Sequence, residues 1–208
     1  NNYNIDLKRY NNKIRKSIES GECVKNIIDK YGFLKDEIVE LSFWGMEPTI
    51  NIDLYDKIVI PLLDYYTNIN SFMFSTNAFL GYNSIHNFIR SLENYSRPIT
   101  FKLQFSLDGP EWINDNSRRK GATERTIKMI KDIIINNQDL KNCSLDLFIK
   151  STLDCHFMEI LNQDINKIYE FYDFFNNIKI ECASLNKSEH ISTPCLATPT
   201  LVVPHYHT

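Results

Sequence analysis

The feature that most constrains this chain is a repeated change of hydrophobic period, from short β-branched and aromatic runs to longer stretches with apolar side chains every three or four positions. Period two suits a strand and period 3.6 a helix, so the alternation predicts βα units around a parallel sheet. Ile38–Phe43, Ser71–Phe74, Thr100–Phe105, Ser144–Ile149 and Lys179–Cys182 read as strands, giving five, the third with polar Lys102 and Gln104 at alternate positions. Helices are predicted over Leu7–Tyr31, Leu54–Tyr66, His86–Asn94, Glu124–Asn136 and Leu161–Phe175. The first carries Ile14, Ile18, Ile27 and Ile28 as a stripe with a break at Gly21, and Pro61 is expected to kink or divide the second. On the last, Tyr169, Phe171, Tyr172, Phe174 and Phe175 read as core packing.

Composition narrows the function classes. A hydrophobic share of 43%, a charged share of 24% and a net charge of -3 describe an ordinary globular protein, with no basic surplus to attract nucleic acid. The basic steps Lys13–Lys16 and Arg118–Lys120 are short enough to be solvated faces. No apolar run is long enough to span a membrane, the Asn-rich start has no signal-peptide core, and a cytoplasmic protein is the expectation. Five widely spaced cysteines, Cys23, Cys143, Cys155, Cys182 and Cys195, argue against a disulfide framework. Cys182 reads as strand core, Cys143 and Cys155 as ordinary thiols, and His205 and His207 as loop residues, since their spacings match no zinc pattern. The missing initial methionine, and an end that falls just after the apolar run Leu201–Val203, lead us to expect a fragment. Its residues 1–186 form one core, and 187–208 begin a C-terminal extension.

In a parallel βα arrangement the loops past the C-terminal strand ends converge on one mouth, where functional groups gather. Those loops hold Trp44-Gly45-Met46-Glu47-Pro48-Thr49, Ser75-Thr76-Asn77, Ser106-Leu107-Asp108-Gly109-Pro110 and Ser151-Thr152. Small polar groups recur at the same end of each strand. One reading of the carboxylates alone is an acid–base pair of Glu47 and Asp108 in a shared pocket. Glu47 also suits the N-terminus of the helix after Pro48, and Asp108 suits a turn before Gly109.

Taken together and in order, the three motifs resemble those of radical S-adenosylmethionine (SAM) enzymes. Trp44 to Pro48 is similar to the family's Gly-Gly-Glu-Pro, Ser75-Thr76-Asn77 to its Ser-Thr-Asn-Gly, and Ser106 to Pro110 with Asp115 and Arg118 to the Ser-Leu-Asp-Gly-Pro…Asp…Arg stretch of peptide and protein maturases, which include the anaerobic sulfatase-maturating enzymes. The resemblance covers Ile38 to Leu153. It implies an α/β fold, a partial (βα)6 TIM-like barrel of parallel strands whose first strand and cluster loop lie upstream.

The resemblance also implies a ligand and a chemistry. SAM carries an ammonium, a carboxylate, a ribose and an adenine, so its pocket needs acceptors, a cation and hydroxyl-binding groups. The Gly45-Met46 backbone and Glu47 are the expected frame for the ammonium, and Arg118 with its guanidinium fork the expected partner of the carboxylate, beside Ser106. Ser75 and Asn77 are the expected ribose neighbours. Met46 departs from the family's second glycine, and no Cys-x-x-x-Cys-x-x-Cys occurs in these residues, so the [4Fe–4S] ligands are expected outside the chain. The complete protein is then expected to cleave SAM to a 5′-deoxyadenosyl radical that takes hydrogen from a peptide or protein, with flavodoxin or ferredoxin as electron donor. The competing expectation is a degenerate barrel that binds SAM or a peptide without a cluster. Cys195 stands where an auxiliary-cluster extension of such maturases begins.

Overall fold

The computed structural model describes residues 25–26, 29–30, 37, 39–43, 47–79, 82–196 and 200–201. The expected first helix therefore lies outside the described residues, apart from 25–26 and 29–30, which are helical. Also outside them are Trp44, Gly45, Met46, Cys23, His205, His207 and the side chain of Cys195.

The rest is α/β with a parallel sheet. Strands β1 (Glu40–Phe43), β2 (Ser71–Thr76), β3 (Ile99–Ser106) and β4 (Cys143–Lys150) lie side by side in chain order, and β6 (Cys195–Leu196) pairs beyond β4. A two-residue β5 (Thr152–Leu153) pairs separately with β7 (Thr200–Leu201). Among the described residues the sheet does not close into a barrel. Connecting the first four strands are α1 (Ile52–Tyr65), α2 (Tyr82–Glu93), α3 (Glu111–Ser117) and α4 (Ala122–Asn136). After β5 come α5 (Cys155–Gln163) and α6 (Lys167–Leu185). No described helix is long and apolar enough to cross a membrane.

Because parallel crossovers are right-handed, a strand order with no reversal puts every connecting helix on one face of the sheet. Burial follows that rule. Phe72 and Phe74 of β2, Phe101, Leu103 and Phe105 of β3, and Leu145, Leu147 and Ile149 of β4 are buried with Leu63 of α1, Phe88 of α2, Ile130 and Ile133 of α4 and Phe171 of α6. Each such side chain contributes about 1.5–3 kcal/mol by leaving water. The alternate positions, among them Lys102, Gln104 and Ser106 on β3 and Asp146 and Phe148 on β4, face the other way, onto a polar inner face.

Several boundaries shift from the sequence reading. Lys179–Cys182 is the end of α6 and not a strand, since Ile178 and Cys182 are buried while Ile180 is 66% exposed. In a strand those three would share a face; the burial at 171, 175, 178 and 182 is a helical stripe. The fifth strand of the sheet is β6 instead. The single helix expected over Leu161–Phe175 is two, interrupted where Asp164 accepts from the Asn166 N–H, and Tyr169 and Tyr172 are exposed rather than core. Pro61 sits inside α1, which runs on through it undivided. Short α3 was not anticipated.

Gly109 packs the turn between β3 and α3 tightly. Its φ is +153°, and a Cβ there would come within 2.7 Å of Ile113 Cγ2 and 3.2 Å of the Phe171 ring. Gly109→Ala is therefore expected to destabilise the protein by about 2–4 kcal/mol, from backbone strain and overpacking together. Chemical denaturation measures this, and a loss below about 0.5 kcal/mol, the ordinary range for an unconstrained surface site, would contradict the tight packing.

Candidate functional site

The C-terminal ends of β1, β2 and β3 form one edge, and the residues singled out in the sequence collect along it. Glu47 does not cap the 3-10 turn Pro48–Asn51 that follows it, because no side-chain cap bond forms there. One of its carboxylate oxygens accepts from Thr49 Oγ1 and the other from the Asn77 backbone N–H at 2.7 Å. Thr49 Oγ1 is also 3.3 Å from Thr76 Oγ1. Glu47 thus fastens the loop after β1 to the end of β2. Asn77 Oδ1 accepts from the Phe79 N–H, and Ala78 between them has φ +56°, a left-handed conformation that explains why a glycine suits this position in the motif it resembles. Ser75 and Ser106, on the inner face, have no hydroxyl partner among the described residues.

Asp108 is the best-satisfied group on the edge. Its carboxylate takes a two-pronged ion pair from Arg118, Nε at 2.8 Å and Nη2 at 2.9 Å, and a third bond from the Thr152 N–H at 3.0 Å. Its own N–H donates to Asn114 Oδ1, and its carbonyl accepts from Ser151 Oγ. Arg118 is therefore committed along one side of its guanidinium. Asp108 and Glu47 are thus bonded to separate sets of partners. Asp115 braces the next turn: it accepts from the Gly121 and Thr123 N–H groups and from Thr123 Oγ1. Burial acts to raise its pKa, but these bonds outweigh it and hold the carboxyl below its ordinary value.

Beside this edge lies an open pocket of about 440 Å3 lined by Asn77, Phe79, Ser117, Arg118, Arg119, Ala122 and Arg125. The guanidinium of Arg119 stacks 3.2 Å from the centre of the Phe79 ring and that of Arg125 lies 5.2 Å from it. Neither has an acidic partner among the described residues. Desolvation and the neighbouring Arg125 both push the pKa of Arg119 down, as expected for crowded cations. The sequence reading places Arg119 in a solvated basic step and does not single out Arg125. Arg125 stands in the first turn of α4, whose N-terminal end faces the strand-end edge in any βα unit, and that placement was the available signal. A larger groove of about 640 Å3 follows the outer face of α4 past Lys128, Lys131 and Phe174. Its lysines are already paired, Lys128 with Asp132 and Lys131 with Glu181.

No family model matches this chain. It is similar to the uncharacterized protein MJ0907 of Methanocaldococcus jannaschii, with 28% identity over 189 residues. That match covers 88% of this chain and 59% of the relative, so the chain spans about three fifths of that protein.

Among the described residues no group of three or more His, Cys, Asp or Glu side chains is arranged to hold a metal ion. Cys143 at the start of β4 is buried, and burial, with Glu93 nearby, pushes its pKa up to about 12. Burial pushes Cys182 up to about 11. Both thiols stay protonated at neutral pH and are poor nucleophiles and poor metal ligands. In the native protein at pH 8, iodoacetamide is expected to leave Cys143 and Cys182 unmodified and to reach them only after denaturation; rapid labelling of either, read by peptide mass spectrometry, would refute their placement.

Proposed function

We propose that this chain is part of a radical SAM enzyme of the kind that modifies a peptide or protein, and that its sheet is a section of an open (βα)6 barrel. The observation that carries the reading is the meeting of three separate motifs on one edge of adjacent parallel strands. Glu47 comes from the first, Asn77 from the second, and Ser106 with Asp108 from the third, and the Glu47 carboxylate is bonded to the Asn77 N–H. The unreversed strand order and the single helical face agree with a barrel section.

The residues present fit SAM. Glu47 has acceptor capacity left for the ammonium, Ser75, Asn77 and Ser106 offer hydroxyl and amide groups, and the arginine pocket offers positive charge to the carboxylate. Since two N–H groups of Arg118 are spent on Asp108, Arg119 and Arg125 carry most of the charge open to a ligand. The described residues do not fit an iron–sulfur cluster, for Cys143 and Cys182 are buried with raised pKa values. The reaction class that the resemblance implies is one-electron reductive cleavage of SAM to methionine and a 5′-deoxyadenosyl radical, the electron coming from a reductant such as flavodoxin or ferredoxin, followed by hydrogen abstraction from the substrate. In that scheme this chain's residues bind and orient SAM.

The test is SAM binding by equilibrium dialysis. Arg125→Ala is expected to weaken binding by on the order of 1.5–3 kcal/mol, the value of a charged hydrogen bond, with the melting temperature unchanged. Arg118→Ala is expected to weaken binding and also to lower the melting temperature, because it strands the Asp108 carboxylate. Absence of SAM binding by the unaltered chain overturns the reading.

A further inference from the structure

The pocket beside the strand-end edge carries more positive charge than one carboxylate can neutralise. Its lining holds three arginines and, among the described residues, no acid. Asp108 neutralises Arg118 through Nε and Nη2. Arg119 and Arg125 keep their charges, and their guanidinium groups stand 3.2 Å and 5.2 Å from the centre of the same Phe79 ring. One solvated arginine is ordinary, but two that converge on one ring repel each other, and the lining supplies no acid to offset that. The polar side chains left free there are donors. Asn77 Oδ1 already accepts from the Phe79 N–H, which leaves its NH2 group, and the Ser117 hydroxyl has no partner among the described residues. Asp115 lines the two neighbouring pockets and not this one, and it already takes the Gly121 and Thr123 N–H groups at the start of α4. The positive character therefore comes from side chains and not from a bare helix end. Nor is it the general pull of a basic protein, because the net charge of the chain is -3.

The charge and the donors specify the ligand. A carboxylate brings one charge and two oxygens, which leaves one of the two free arginines uncompensated. A phosphate group brings close to two charges near neutral pH and three accepting oxygens, enough for two guanidinium forks with a hydroxyl or amide besides. We propose that Arg119 and Arg125, with Ser117 and Asn77, form a binding site for a phosphoryl dianion, carried either by inorganic phosphate or by a phosphorylated small molecule. Binding of the dianion does not depend on the radical SAM reading. That it displaces SAM, whose carboxylate is assigned to the same arginines, does rest on that reading, and it makes phosphate an inhibitor of SAM binding.

The test is isothermal titration calorimetry of the full chain with inorganic phosphate, methyl phosphate and dimethyl phosphate at pH 8, in about 0.15 M sodium chloride to screen distant charges. The first two are dianions and are expected to bind. Dimethyl phosphate, a monoanion of similar shape, is expected to bind about tenfold more weakly or worse, a comparison that needs no variant. Tighter binding of inorganic phosphate than of methyl phosphate assigns the site to free phosphate, and the reverse order to an ester. Arg119→Ala and Arg125→Ala are each expected to weaken dianion binding about tenfold or more, as for loss of charged hydrogen bonds. Arg125→Lys is expected to cost less, since it keeps the charge and loses the fork. No binding of either dianion, a diester that binds as well as the monoester, or alanine variants that fold and bind within about twofold of the parent would each overturn the proposal. SAM dialysis with and without saturating phosphate separates the two readings. Phosphate binding without SAM binding sinks the radical SAM reading alone, and SAM binding without phosphate binding sinks this one alone. SAM binding that bound phosphate leaves unchanged sinks the shared pocket.

Discussion

The Asp108 carboxylate holds the C-terminal edge of the sheet together. A nearly buried charge persists only if its oxygens are paired and bonded, and Asp108 meets that demand with Arg118 and the Thr152 N–H. Those partners come from the end of α3 and the start of β5, so one side chain fixes both relative to the end of β3. The backbone of the same residue adds Asn114 and Ser151. The positions of α3 and β5 on this edge are thus set by one desolvated charge. The opposite end of the sheet has a similar brace: Glu93, at the end of α2, accepts from the Lys141, Asn142 and Cys143 N–H groups that begin β4.

The apolar and polar faces of the sheet follow from connectivity. With all connecting helices on one side, apolar side chains on that side make the core, and nothing in the helical layer covers the other side. The inner face therefore stays polar, and its charges near the strand N-terminal ends are matched in pairs such as Lys102–Glu40. That pair sits across β2, with Ser71 Oγ also donating to Glu40, and the lysine is the main cause holding the Glu40 carboxyl below its ordinary value. The upper part of the face carries Ser75, Gln104 and Ser106, with Lys150 level with Ser106.

Much of the fold was legible because β2, β3 and β4 each carry apolar side chains on one buried face at period two, and because α4 carries its stripe at Ile130, Ile133 and Ile134. Legibility failed where a local pattern had two physical meanings. The run Ile178, Ile180 and Cys182 alternates like a strand, yet Phe171 and Phe175 continue its buried set at helical spacing, and the longer pattern prevails because it contributes more buried surface. The α3 segment is polar and only seven residues long, so it carries no periodic signal of its own; the Asn114 side chain, bonded to the Asp108 N–H and to Thr123, fixes it from outside. Motif order alone was enough to bring Glu47, Asn77 and Ser106 to one edge of the sheet. The partner of Arg118 was not legible in this way, because a guanidinium ten residues from a carboxylate can meet it or solvent equally well until a turn such as that at Gly109 decides.

That ambiguity bears on how the edge divides its labour. An arginine fork engaged by a buried carboxylate is held in place by the same bonds that reduce its attraction for a second anion. Arg119 and Arg125 are in the reverse position: they are crowded, stacked on an exposed Phe79, and lack an acid to neutralise them. Two cations that repel one another, beside a third that is already neutralised, lower their energy when an anion arrives, whereas Arg118 gains little. Charge for a ligand and rigidity for the edge therefore come from different arginines within eight positions of one another, and a carboxylate that enters the pocket is met by the loose pair while the fixed one keeps the strand ends in register.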